Sequence, residues 1–251
     1  MERLNRWLAR AGVTSRRGAD RLIEEGRVKV NGVVVRELGL RILPGRDAVK
    51  VDEKRVAPPP PGRTYVLLNK PPGYVTTLSD PQGRPSVRDL VRTIGRRVYP
   101  VGRLDFRSEG LLLLTDDGDL ARDLMHPGKG VPKTYSVKVR GQPGEATLRS
   151  LRAGVELDGR QTLPARVRLV RGAVNSWLEL TIREGRKHQV RRMLEKVGHP
   201  VVRLKRIRLD GLELGRLSSG SFRALSPTEV ARLKLAVRST GGRSRPPART
   251  P

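Results

Sequence analysis

Apolar residues at the start of the chain recur first with a helical period and then with a period of two. Leu4, Leu8 and Ala11 share one helical stripe and Gly12 follows as a stop, which predicts a first helix. Ser15 is placed to cap a second helix running through Glu25, with Leu22 and Ile23 inward and Gly26 ending it. The segment Val28-Lys29-Val30-Asn31-Gly32-Val33-Val34-Val35 then reads as strand, tight turn, strand. Residues 1–56 are therefore expected to form a small ααβ module, with Arg16, Arg17, Arg21 and Lys29 gathered on and beside its second helix.

The pattern breaks at residues 57–62, where four consecutive prolines can continue neither helix nor strand and form an extended spacer. From Arg63 to Leu235, short Val/Leu strands mix with amphipathic helices. Strands are expected at 65–69, 110–115, 135–140, 165–171, 176–183 and 201–207, and helices at 86–93, 120–125, 144–153 and 188–197. The two kinds do not alternate regularly, so the fold class is α+β, with a mixed, mainly antiparallel sheet flanked by helices. Residues 236–251, rich in Arg, Pro, Ser and Gly, read as a disordered basic tail.

Charge narrows the choice of partner. The 251 residues hold 52 Lys+Arg against 25 Asp+Glu, a formal net charge of +27. Such an excess repels itself unless a polyanion neutralises it, so nucleic acid or an anionic surface is the expected partner. A bland alternative is a solvated surface in a chain with an arginine-rich composition. Against it, the charge peaks between Arg183 and Arg208, with ten basic and two acidic residues. Eight aromatic residues are few for a protein that reads bases on broad stacking platforms.

With no cysteine, disulfides and thiolate metal sites are excluded, and three scattered histidines make no zinc site. There is no signal-like apolar run and no membrane-length stretch, so the cytoplasm is the expected compartment. Neither GxxxxGK[ST] nor GxGxxG occurs, so ATP and NAD are not expected and no cofactor is assigned.

Two stretches carry candidate chemistry. In Val101-Gly102-Arg103-Leu104-Asp105-Phe106-Arg107-Ser108-Glu109-Gly110, Asp105 sits between two arginines on a loop that enters a four-leucine strand. On the residues alone, a structural salt bridge in a turn explains this Asp better than catalysis does. In Arg183-Glu184-Gly185-Arg186-Lys187-His188-Gln189-Val190-Arg191-Arg192-Met193, basic side chains crowd a helix start. That arrangement suits phosphate, or an ion pair that keeps a buried carboxylate charged. A solvated helix start is the alternative, and His188 suits hydrogen bonding or RNA contact better than general base work.

These motifs carry two resemblances. "LNRWLARAGVTSRRGADRLIEEGRVKVNG" resembles the small S-four type RNA-binding domain of a ribosomal small-subunit protein, over roughly residues 2–50. "GRLD…EGLLLLT", "K-T-Y" at 133–135 and "EGRKHQVRRM" resemble the motifs of RNA pseudouridine synthases. With "LNKPPGYVTT" and "DPQGRPSV", the resemblance is to the ribosomal RNA branch of the RsuA/RluB type and covers about residues 1–235.

The resemblance implies that Asp105 is the essential aspartate, Arg191 the arginine that pairs with it, and Tyr135 the tyrosine packed against the target base. Val190 would add to an apolar floor. Arg16, Arg17, Lys29, Arg103, Arg107, Arg186, Lys187 and His188 would contact RNA, although Phe106 and Arg107 depart from the usual residues beside the aspartate. The implied substrate is a uridine of ribosomal RNA, most closely the large-subunit (23S) molecule, with small-subunit (16S) rRNA the runner-up. The enzyme is expected to act as a monomer, in a pre-ribosomal context.

The chemistry explains why such residues are needed. The nitrogen–carbon glycosidic bond must break, and the base must turn and reattach through carbon 5, without redox or hydrolysis. That requires a carboxylate able to attack covalently or take a proton at the sugar, dry walls and a base flipped out of its helix. A non-catalytic ribosome-assembly factor would explain the charge but not Asp105, Tyr135 and Arg191 together. An RNA methyltransferase would need the nucleotide loop that is missing.

Overall fold

The computed structural model describes residues 1–172 and 174–239. It divides into two compact units. One comprises residues 1–63 with 94–97, and the other 64–93 with the chain from Val98 onward.

In the first unit, α1 (Leu4–Arg10) and α2 (Arg16–Glu24) pack together. Ser15 Oγ accepts from Gly18 N at 3.0 Å, closing the first turn of α2 as expected of an N-cap. The hairpin is β1 (Val28–Val30) and β2 (Val33–Val35), joined by Asn31 and Gly32, both with positive φ. That is the primed turn an Asn-Gly pair favours. β3 (Val49–Val51) and β4 (Lys54–Arg55) extend the hairpin to a four-stranded sheet ordered β2-β1-β3-β4, beyond what the sequence pattern alone suggested. Leu4, Trp7, Leu8, Ala19, Ile23, Val28, Ile42 and Val49 form one buried core under it.

The second unit is built on a sheet of nine strands. Its principal members are β5 (Tyr65–Lys70), β6 (Glu109–Thr115), β7 (Lys133–Arg140), β8 (Arg166–Arg171), β9 (Asn175–Ile182), β10 (Val201–Leu209) and β11 (Phe222–Ala224). Their order is β8-β9-β7-β10-β6-β5-β11. Pairing along this path is antiparallel except between β10 and β6, which run parallel. The mixed α+β architecture expected from the sequence is the one found.

All four leucines of β6 are fully buried, so this strand is covered on both faces and reads as a continuous apolar run rather than an alternation. Each such leucine contributes about 1.5–3 kcal/mol of burial. Leu111 and Leu113 join a core completed by α4 (Gly118–Met125) through Leu120, Ala121 and Leu124. The same core takes in Leu233 and Val237 of α7 (Pro227–Ser239).

Helix α7 continues through Ser239, past the composition break at residue 236, because Leu233 and Val237 lie one helical turn apart and both are buried. The remainder of the expected basic tail, 240–251, lies outside the described residues. A short α3 (Val87–Leu90), α5 (Glu145–Ala153) against β8, and α6 (Gln189–Lys196) against β10 complete the unit.

Gly110 explains how β6 can lie so close to β10. Its φ is +104°, and a Cβ there would stand 2.3 Å from the Arg206 carbonyl oxygen and 2.8 Å from its nitrogen. Only glycine suits that backbone, and it sits five positions after Asp105.

Candidate active site

Asp105 lies on the loop 101–108 that leads into β6, and the loop is fastened at several points. Val101 N donates to Leu113 O at 2.8 Å, and Gly73 N to Phe106 O at 2.8 Å. Thr76 Oγ1 donates to Leu104 O at 2.7 Å and accepts from Leu104 N at 3.2 Å.

Lys70, the last residue of β5, is 0 % exposed and sits beneath the loop. Its Nζ donates to the carbonyls of Pro71 at 3.0 Å, Asp105 at 3.3 Å, Phe106 at 3.5 Å and Ser108 at 2.8 Å. Burial pushes the Lys70 ammonium down to about 8, while the charges of Asp105 and Glu109 act to raise it. The carboxylate is thereby carried on a backbone clamped from below.

The second motif meets this loop from α6. Arg191 reaches over it: Nη2 lies 3.4 Å from Arg107 O and 3.4 Å from Ser108 Oγ. The sequence resemblance implies a direct ion pair between Arg191 and Asp105. Among the described residues Arg191 instead grips the loop backbone, because its guanidinium is directed at the Arg107–Ser108 segment. The two charges still feel one another, since burial lowers the Arg191 pKa and Asp105 acts to raise it.

His188 approaches the Asp105 carboxylate, with Nε2 3.4 Å from Oδ1. His188 occupies the N-cap of α6 with φ +53°, a left-handed conformation that a non-glycine residue adopts at a cost. The turn before it is closed by Gln189. Its Oε1 accepts from Arg186 N at 2.9 Å, and its Nε2 donates to Glu184 Oε1 at 2.7 Å.

Both motifs border a cleft of about 920 Å³, lined among others by Asp105, Tyr135, Ile182, His188, Val190 and Leu204. Tyr135 is 8 % exposed, and Val190 is buried beside it on the cleft wall. Asp105, Tyr135 and Val190 thus come together from the loop before β6, from β7 and from α6. Arg191 reaches the same loop.

The expected RNA-contacting residues separate into two groups. Arg103, Lys187 and His188 are exposed on the cleft, and Arg107 is exposed on the Asp105 loop. In the first unit Arg16 and Arg17 are exposed on α2, while Lys29 pairs with Glu53 at 2.5 Å.

Arg186 departs from its expected role. Its guanidinium donates to the carbonyls of Arg160 at 2.9 Å, Gln161 at 2.6 Å and Leu157 at 3.4 Å, and to Glu184 Oε2 at 3.3 Å. An arginine so engaged braces the strand pair Glu156–Leu157 and Arg160–Gln161 and has little left for a phosphate.

Lys70 escaped the sequence reading, although a lysine closing the apolar run Tyr65–Asn69 just before Pro71-Pro72 was a visible sign. Lys133, the first residue of the K-T-Y motif but given no role by the sequence, and Arg206 also line the cleft. A strand period of two places Lys133 on the same face as Tyr135. Among the described residues no group of three His, Asp or Glu side chains is arranged to hold a metal, and no helix is long and apolar enough to cross a membrane.

Comparison with known proteins agrees with this geometry. Residues 64–196 match the family model of RNA pseudouridylate synthase, and residues 2–47 that of the S4 domain. An RNA pseudouridine synthase of Aquifex aeolicus, itself uncharacterised, is 47 % identical over 237 residues, 94 % of each chain. The ribosomal large subunit pseudouridine synthase B of Bacillus subtilis is 46 % identical over 93 % of this chain and 96 % of its own length. A pseudouridylate synthase crystal structure superposes with a TM-score of 0.66 at 30 % identity, covering 93 % of this chain and all of the other. With two domains in matching order and a carboxylate loop facing one cleft, the chain belongs to the RNA pseudouridylate synthase family, of the RsuA/RluB type, and is an isomerase acting on RNA.

Proposed function

We propose that this enzyme converts one uridine of large-subunit (23S) ribosomal RNA to pseudouridine, with Asp105 as its essential carboxylate. The observation that supports the catalytic part most directly is the placement of Asp105. It stands on a clamped loop, at a cleft large enough for a nucleoside and next to a buried tyrosine. The choice of 23S rRNA draws on the Bacillus subtilis relative and on a second relative of the same name from Pseudomonas aeruginosa, 39 % identical over 91 % of this chain.

In this reading the target uridine leaves its helix, at a cost of a few kcal/mol. It enters the cleft with its base against Tyr135, which replaces part of the lost stacking, and Val190 forms the apolar floor. Asp105 acts at the sugar as the glycosidic bond breaks. The base turns within walls that exclude water and reattaches through carbon 5. Arg191 and Lys70 hold the loop that presents the carboxylate.

Exposed Arg103, Arg107 and Lys187, with His188, hold the flanking RNA at the cleft. Arg16, Arg17 and Lys29 add affinity from the S4 domain. All these groups come from one chain, in keeping with a monomer that works on pre-ribosomal RNA in the cytoplasm.

Unmodified 23S and 16S transcripts incubated with wild type or Asp105→Ala, followed by mapping of pseudouridine, test the reading. Product is expected in 23S rRNA from wild type alone. Product from Asp105→Ala would overturn the catalytic assignment, and product confined to 16S rRNA would overturn the target.

A further inference from the structure

The wall of the cleft holds two cations with no acid paired to either among the described residues. Arg206 of β10 lies directly opposite Tyr135 of β7 in the strand register, so the two side chains share a face of the sheet. Arg206 is only 2 % exposed and borders the cleft. Its Nε donates to Leu111 O at 2.7 Å, but its Nη2 is buried with no hydrogen-bond partner among the described residues. Lys133, two residues before Tyr135 on the same strand face, also borders the cleft, and its Nζ donates to Val131 O at 3.1 Å.

Arg206 is near enough that its charge adds to burial in pushing the Lys133 ammonium down to about 8. A buried guanidinium with an unused N–H costs free energy unless something accepts from it. Two unpaired cations side by side point to a ligand group that is an acceptor and gains negative charge.

We propose that Arg206 Nη2 and Lys133 Nζ hold a carbonyl oxygen of the flipped pyrimidine and stabilise the negative charge it gains when the glycosidic bond breaks. The inference rests on the uridine-isomerase reading given above. When the N1–C1′ bond breaks, its electron pair stays with the base, whose charge spreads over N1 and the carbonyl oxygens. The electron-deficient sugar is met by the Asp105 carboxylate. The charge is discharged when C5 bonds to C1′. The C5 hydrogen then leaves as a proton and N1 takes one up, so product and substrate have the same atoms.

A phosphate suits these two groups less well. They adjoin Tyr135, Ile182, Leu204 and Leu209, an apolar surround fitted to a planar base, whereas the exposed Arg103 and Lys187 already serve anions in solvent. Fixed donors aimed at developing charge act on the transition state more than on binding.

Single-turnover rates at saturating RNA, with RNA affinity measured in parallel, test this in Lys133→Gln and Arg206→Gln. Each is expected to slow glycosidic cleavage roughly 100-fold, as removal of one such donor does elsewhere, with affinity nearly unchanged. RNA carrying 5-fluorouridine supplies a second readout, because the fluorine makes the departing base a weaker nitrogen base. The loss should shrink several-fold there.

A rate within twofold of wild type, a defect in affinity alone, or an equal loss on both RNAs would overturn the proposal. Should Arg206→Gln fail to fold, Lys133→Gln decides the matter. Failure of wild type to make pseudouridine would instead overturn the isomerase reading itself.

Discussion

Lys70 donates to the backbone carbonyl of Asp105 at 3.3 Å, so the residue that closes one strand holds the chain that presents the carboxylate. Replacing it by Met leaves several buried carbonyls without their donor. Lys70→Met is expected to lower stability by on the order of 3 kcal/mol. It should also slow single turnover by up to ~10²-fold, because an ångström of misplacement at a reacting group costs that much. Chemical denaturation and pre-steady-state rates check both. Unchanged turnover in a folded variant would contradict the positioning role.

Gly110→Ala places a Cβ against backbone atoms of Arg206 that cannot turn away, in a backbone conformation hostile to alanine. Overpacking and left-handed strain together predict a loss of about 3 kcal/mol, and calorimetry should find it. Wild-type melting would refute the close approach.

The two lysines with lowered pKa give a pH signature. Lys70 and Lys133 fall from 10.5 to about 8 in the folded chain. Between those values the unfolded chain binds protons the folded chain has released, so their contribution to stability rises with pH from about 8 to 10.5. Denaturation at pH 8 and pH 10 should show a shallower rise in Lys133→Met than in wild type. Equal slopes would mean that Lys133 keeps its ordinary affinity for the proton.

Salt dependence separates contacts to phosphate from internal braces. Neutralising Arg103, Arg107 or Lys187 should each reduce the slope of log affinity against log salt by roughly 0.7–0.9. Arg186→Ala should leave that slope unchanged and destabilise the protein, because its guanidinium is spent on the carbonyls of Leu157, Arg160 and Gln161. Titrations at several ionic strengths, with melting curves, distinguish the two behaviours.

What the sequence revealed was local. Asn31-Gly32 dictates its own turn, and the four leucines at 111–114 read as a buried strand, as found. The family resemblance implied that Asp105, Tyr135 and Arg191 share a site, and the fold places Asp105 and Tyr135 on one cleft with Arg191 on the Asp105 loop. The long-range pairings were not legible. Nothing in Val201–Leu209 announces that it runs parallel to β6, and no local pattern tells Lys70 that three of its four acceptors lie 35 to 38 positions away. Arg186 and Arg206 look alike in sequence. Only packing makes the first a brace and leaves the second with an N–H to offer.

The place of β10 has a consequence for how the enzyme comes into being. This strand lies between β6 and β7 and so joins the half of the sheet that bears Asp105 to the half that bears Tyr135. It is also made after both of its neighbours in the sheet, since synthesis releases the chain from its N-terminus. Until it is made, β6 and β7 each present an open edge of the kind that invites wrong partners. A nascent chain halted before Val201 would carry the Asp105 loop and Tyr135 on two sheet fragments with no strand between them to join them.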